Sequence, residues 1–187
     1  MGMREAIDAV NSMVERRIIG KYAIGGAVAA LNYIEPFLTD DLDILISFDD
    51  VVEATSSGLV MLTPILSYLK EKGYYEFRNE GVVVGGWTVQ FLPVADDLDA
   101  EALEMADELT IEIGVGPLLA RVLRAEHVVA TALRVGRPKD LIRITQFLDQ
   151  KKVEPVKLRA VLARHGLRPK WDKFCSRVGV PNPFGGT

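Results

Sequence analysis

Asp41 and Asp43 stand two positions apart in Asp41-Leu42-Asp43-Ile44-Leu45-Ile46, a run that is otherwise aliphatic. Side chains of a β-strand alternate between faces, so the two carboxylates share one face while Leu42 and Ile44 take the other. At about 3.3 Å of rise per residue, their Cα atoms lie roughly 6–7 Å apart. Carboxylates at that separation can converge on one divalent cation, and Mg²⁺ is commonly held by one or two carboxylates together with substrate phosphates. Upstream, a short apolar run, Tyr22-Ala23-Ile24, ends in Gly25-Gly26. Glycines allow backbone amides to approach a polyanion closely. Thr39 lies in the turn before the aspartates. The chemistry within reach of these residues is metal-assisted handling of a phosphate ester.

Each part also has a plain reading. Gly-Gly at a strand end is common, and alternating acids often mark a half-exposed edge whose polar face meets water. The order of parts is more demanding: strand, Gly-Gly, one helix, a turn with Thr, then Asp-x-Asp. Leu45 and Ile46 extend the second strand with apolar residues on both faces, which predicts a buried element. A buried carboxylate needs a partner or a metal.

The elements that must position these residues follow from periodicity. Residues 4 to 17 predict a helix, with Ala6, Ile7, Val10, Met13 and Val14 at three- and four-residue spacing. Strands are expected at 22–24 and 41–48, and a helix at 27–33 that Pro36 stops. A polar segment, Thr55-Ser56-Ser57-Gly58, leads to a helix over 62–72 closed by Gly73, and Asp49 and Asp50 end the strand before it. Three β-prone pieces, 74–78, 82–84 and 87–92, are separated at hairpin length by Asn79-Glu80-Gly81 and Gly85-Gly86. An acidic helix over 96–107 and a strand over 109–113 complete a mixed sheet. From 118 the pattern predicts helices only: 118–135 ended by Gly136, 139–150 after Pro138, 155–164 from Pro155, and 167–178. The closing Pro-Asn-Pro-Phe-Gly-Gly reads as a loose tail.

The Gly-Gly turn followed by Asp-x-Asp resembles the nucleotidyltransferase superfamily. Arg137-Pro138-Lys139-Asp140 resembles the Arg-x-Lys-Asp segment of minimal nucleotidyltransferases related to the toxin component of AbiE-type abortive-infection systems. The resemblance implies an α/β (α+β) fold, with a nucleotidyltransferase-like domain over 1–116 and a helical region over 117–187 packed on it. It implies Asp41 and Asp43 as catalytic metal ligands for Mg²⁺ or Mn²⁺. It also implies a nucleoside triphosphate against Gly25, Gly26 and Thr39, with Lys139 and Arg143 bringing positive charge to it. These two cations lie four apart and so share a helix face. Their plain reading is a solvated charged helix start, where Asp140 suits the helix dipole.

The superfamily pattern has a third carboxylate on a neighbouring strand, and here that place reads Val89-Gln90-Phe91-Leu92. Gln90 offers a carbonyl oxygen without charge, a weaker third metal ligand than a carboxylate. Asp96, Asp97 and Asp99 follow closely, but an acidic turn capping the next helix is their simpler role. Two functions from different classes result. One is transfer of a nucleoside monophosphate to an unidentified acceptor, such as tRNA, a protein or a small molecule. The other is a catalytically degenerate fold that acts by binding or regulation.

Bulk properties set the bounds. The 187 residues are 49% hydrophobic, enough for a real core, and the net charge of −4 argues against coating nucleic acid by bulk electrostatics. The single cysteine, Cys175, excludes an intramolecular disulfide and reads as a small buried hydrophobe. His127 and His165 have no metal-ligand spacing. With no long apolar run and no signal-like start, no membrane role and a cytoplasmic location are expected. A basic stretch from Lys151 to Lys173, with Trp171 inside it, is a solvated face or a guide for phosphate.

Overall fold

The computed structural model describes residues 2–48, 58–112, 116–180, 182 and 184. Thr55, Ser56, Ser57, Asp49 and Asp50 lie outside the described residues. The chain divides into two compact units, one of Met1–Val28 with Leu38–Leu123, the other of Ala29–Phe37 with Arg124–Thr187.

The first unit is built on a seven-stranded mixed sheet. Its strands are β1 (Tyr22–Ile24), β2 (Asp41–Ile46), β3 (Phe77–Arg78), β4 (Gly81–Val84), β5 (Trp87–Pro93), β6 (Asp107–Glu112) and β7 (Pro117–Val122), in the order β3-β4-β5-β2-β1-β7-β6. β1–β7 and β2–β5 are parallel, and the other neighbours run antiparallel. Helix α1 (Met3–Glu15) lays Ala6, Ile7, Val10 and Met13 into the core, the stripe its spacing predicts. Helix α3 (Gly58–Glu71) buries Ile65, Tyr68 and Leu69. The short helix α2 (Gly26–Leu31) follows β1, and α4 (Asp97–Glu104) follows β5.

One expected helix is in part a strand. Residues 118–122 belong to β7, and only Ala125–Val135 form the helix, α5. Leu118, Ala120 and Val122 are buried while Leu119 is exposed, an alternation of period two. This short apolar run fits either period on its own. The ladder to β6, from Glu112↔Pro117 to Asp107↔Val122, and the Ile24↔Val122 pairing decide it. At Arg124 the backbone is extended (φ −63°, ψ 152°), and there the helix starts.

The second unit holds α5, α6 (Pro138–Asp149), α7 (Pro155–Arg164) and α8 (Arg168–Val178). Proline opens α6, α7 and α8 in the first turn, where a missing N–H costs nothing. Tyr33 packs on Phe147 with ring centroids 5.9 Å apart, and Trp171 lies 5.4 Å from both Phe174 and Phe184. The expected loose tail is anchored where it is described. Trp171 Nε1 donates to Asn182 Oδ1 (3.1 Å), Asn182 Nδ2 donates to Asp172 (2.8 Å), and Phe184 is buried. Cys175 is buried here, and burial pushes its thiol up. Among the described residues no helix is long and apolar enough to cross a membrane.

Candidate functional site

The first unit brings the glycine pair and the two aspartates together through β1 and β2. These strands pair antiparallel with Ile24 opposite Ile44. Where β1 ends, the Gly25 N–H donates to the Asp43 carbonyl at 2.8 Å, extending the ladder by one bond. Gly26 then adopts φ +53°, and a Cβ built there would lie 1.7 Å from Asp43 Oδ2, 2.7 Å from its Cγ and 3.1 Å from its Cβ. Asp43's carboxylate therefore lies directly against the Gly26 backbone, in space that any side chain would fill. Gly25 has a different neighbour, since its Cβ would meet Leu123 Cδ1 at 3.4 Å. The two glycines make separate contributions.

Alternation along β2 is as expected: Leu42 and Ile44 are fully buried, and Asp41 and Asp43 are half-buried on the other face. The parallel register sets Asp41 beside Thr88 and Asp43 beside Gln90. Residues in register on neighbouring strands point to the same face, so Asp41, Asp43, Thr88 and Gln90 form one four-residue patch. Gln90 is half-buried. Thr88 was not singled out from sequence, although its place two residues before Gln90 puts it on the same face. It is fully buried, and its Oγ1 has no hydrogen-bond partner among the described residues. Thr39 Oγ1 sits 3.4 Å from the Asp41 amide and 3.5 Å from the Asp41 carbonyl, long contacts at the start of β2.

The donor chemistry of this patch, two carboxylates and one amide carbonyl, suits a hard cation such as Mg²⁺ or Mn²⁺. The Cβ-free cradle at Gly26 keeps backbone close to one of those carboxylates. Among the described residues no group of three or more His, Cys, Asp or Glu side chains is placed to hold a metal. The residues thus fit one cation completed by oxygens from outside the protein, such as phosphate.

Asp96, Asp99 and Asp40 have partners elsewhere. Asp96 Oδ1 accepts from the Asp99 N–H (3.0 Å), capping α4, and Asp99 Oδ2 accepts from the Ala95 N–H (3.2 Å) just upstream. Asp40 pairs with Arg78 at 3.4 Å.

In the second unit Lys139 and Arg143 stand in different surroundings despite their four-residue spacing. Lys139 is exposed, whereas Arg143 is buried, 3.5 Å from Asp140 and with its guanidinium 5.6 Å from the Phe37 ring centroid. Asp140 also accepts from Arg137 Nε (2.7 Å), Arg137 Nη2 (3.2 Å) and the Arg137 amide (3.2 Å), capping α6. Glu126 is buried and accepts from the Glu154 amide at 2.8 Å, tying α5 to the start of α7. His127 is buried on α5.

No family model matches the chain, and no curated protein sequence matches it. Among solved structures, the chain is similar to the following. The antibiotic-resistance factor ANT(2'')-Ia in solution is 16% identical with a TM-score of 0.46, over 87% of this chain and 90% of that one. An antigenic nucleotidyltransferase-like protein from Paracoccidioides brasiliensis is 14% identical with a TM-score of 0.46, over 92% and 91%. ANT(2'')-Ia in complex with adenylyl-2''-tobramycin is 14% identical with a TM-score of 0.43, over 94% and 98%.

Proposed function

We propose that the chain is a minimal nucleotidyltransferase-like protein that binds a nucleoside triphosphate with Mg²⁺ or Mn²⁺ on the Asp41, Asp43 and Gln90 patch. The observation that carries this reading is the seat of Asp43's carboxylate on Gly26, with Gln90 in register beside it. Asp41 and Asp43 supply the anionic oxygens, and Gly26, bare of a side chain, leaves room for the Asp43 carboxylate that would hold the cation. A divalent cation bound there would neutralise phosphoryl oxygens as charge develops on them. Transfer would join the nucleoside monophosphate to an acceptor hydroxyl on RNA, protein or a small molecule, with pyrophosphate leaving. The AbiE-toxin-like subtype belongs to this proposal through the Arg137 to Asp140 segment.

A second reading, a degenerate fold that binds nucleotide without transfer, is favoured by one residue. Gln90 stands where a third carboxylate would complete a two-cation arrangement, and a neutral amide holds a hard cation poorly.

Thermal unfolding with each of the four nucleoside triphosphates and Mg²⁺ tests the shared core of both readings. A ligand at about 100 times its Kd stabilises by about 2.7 kcal/mol. The expected result is a rise in Tm with at least one nucleotide, lost in Asp41→Asn/Asp43→Asn while the unliganded fold persists. Equal stabilisation of the double variant overturns the assignment. Radiolabel transfer from the stabilising nucleotide to candidate acceptors then separates enzyme from binding protein.

A further inference from the structure

The second unit carries a cation-ringed cavity that the nucleotide site does not use. Gly136 ends α5 in the left-handed region (φ 73°), and α6 begins two residues later. Beside this turn lies a cavity of about 190 Å³ whose apolar lining is Leu133, Val135, Leu141 and Phe174. Its polar lining is Arg134, Lys170, Lys173 and Arg177, with no carboxylate among the lining residues. In a chain of net charge −4, this is a local reversal of sign.

Two of these cations are available to a partner. Lys173 and Arg177 are exposed, lie four apart on one face of α8, and have no ion pair among the described residues. Lys170 Nζ donates to the Arg134 carbonyl at 2.8 Å, which ties α8 to the end of α5. Apolar surface continues past the cavity: Val135 is 54% exposed, and Val178, four residues after Phe174, is 39% exposed.

The occupant must be anionic to match the cations and aliphatic to cover the floor. The cavity is smaller than the roughly 300 Å³ at which sites for drug-sized ligands begin, so it suits an inserted side chain better than a whole small molecule. Nucleic acid fits less well. Bases bind by stacking on accessible aromatic faces, and the aromatics here, Trp171 and Phe174, are buried. We propose that this face docks an acidic amphipathic helix of a partner protein. Aliphatic residues on one face of that helix would enter the cavity, and flanking Asp or Glu would meet Lys173 and Arg177.

Fluorescence anisotropy on the full chain tests this. One probe is a labelled peptide of about 16 residues, long enough to form helix, with leucine at helical three- and four-residue spacing and glutamate between. The controls are the same peptide with serine for leucine, and a single-stranded RNA of about 16 nucleotides. Saturable binding of the leucine peptide is expected, weakened about tenfold by Lys173→Glu/Arg177→Glu and less by Lys173→Gln/Arg177→Gln. The serine peptide should bind about tenfold more weakly than the leucine peptide. Both substituted positions are exposed, and an unchanged urea midpoint confirms folding. Tighter binding of RNA than of peptide, lost on charge reversal, would make this a nucleic-acid face and overturn the proposal. Absence of peptide binding, equal binding of the two peptides, or indifference to charge reversal would each overturn it too.

Discussion

Gly26→Ala isolates the contact on which the proposed site rests. Two costs arise. Alanine at φ +53° leaves the region open to L-residues, about 1–2 kcal/mol. Its Cβ also lands 1.7 Å from Asp43 Oδ2 and 2.7 Å from Cγ, and overpacking of this kind typically costs about 1–3 kcal/mol. Rotating the carboxylate relieves the first two contacts. The 3.1 Å approach to Asp43 Cβ can change only if backbone moves. The sum is about 2–5 kcal/mol, or a urea midpoint lowered by about 1–2 M at an ordinary m-value. In an Asp43→Ala background the carboxylate clash is gone while the backbone strain and the Cβ contact remain. Gly26→Ala should then cost less than in wild type by the carboxylate's share of the overpacking, about 1–2 kcal/mol, a coupling read from a double-mutant cycle. The same substitution should abolish nucleotide-dependent stabilisation, since either the alanine fills the cradle or Asp43 turns away from it. Equal costs in both backgrounds would refute the seat of the carboxylate on the glycine, and the site built on it.

Three further outcomes follow from other parts of the molecule. Gln90→Asp places a third carboxylate beside Asp43 and should tighten Mn²⁺ binding about tenfold by isothermal titration; unchanged affinity would mean that Gln90 is not at a lost ligand position. Asp140→Ala removes the side chain that caps α6 and bonds Arg137 and Arg143, and should lower stability by about 1–3 kcal/mol in urea, with less loss in Asp140→Asn; a change below about 0.5 kcal/mol, as for a solvated pair, would contradict this. Burial, and then Glu5 accepting its hydroxyl at 2.9 Å, push Tyr74 up to about 12. A raised folded pKa means its contribution is intact below the unfolded value of about 10 and fades as pH climbs towards 12. Tyr74→Phe should remove one tyrosine's worth of tyrosinate absorbance from the alkaline end of the titration, and an unaltered curve would show that Tyr74 ionises normally.

The residues of the site were legible because its parts are local. Tyr22–Ile24 forms the strand that its short apolar run predicts, and Asp-x-Asp alternates as any strand must. The division of labour between the glycines was not legible. Nothing in Gly25-Gly26 distinguishes the residue that carries a carboxylate from the one that faces Leu123, since both neighbours arrive from elsewhere in the chain. Thr88 was hidden for a related reason, because its place beside Asp41 is set by strand register. Four-residue spacing put Lys139 and Arg143 on one helix face, but Phe37 and Asp140 surround only the arginine. Residues 118–122 show the limit most plainly. Their apolar run satisfies a helix and a strand equally, and pairing with β6 and β1 chooses.

The place of β7 also fixes a schedule. β1 is an inner strand only because β7 lies on its far side, and Ile24 meets Val122, a residue made roughly a hundred positions later. At the usual translation rate of about 5–20 residues per second, the wait is about 5–20 s. Once β2 has followed, the ribosome-bound chain can pair β1 with it and set Asp43 on Gly26, yet the other edge of β1 stays open until β7 is made. An unpaired strand edge is a template for any passing strand, including the same strand on a neighbouring nascent chain. The contact of Asp43 with Gly26 can thus form seconds before the sheet around it is sealed, and the slower the chain is made, the longer that edge stands open.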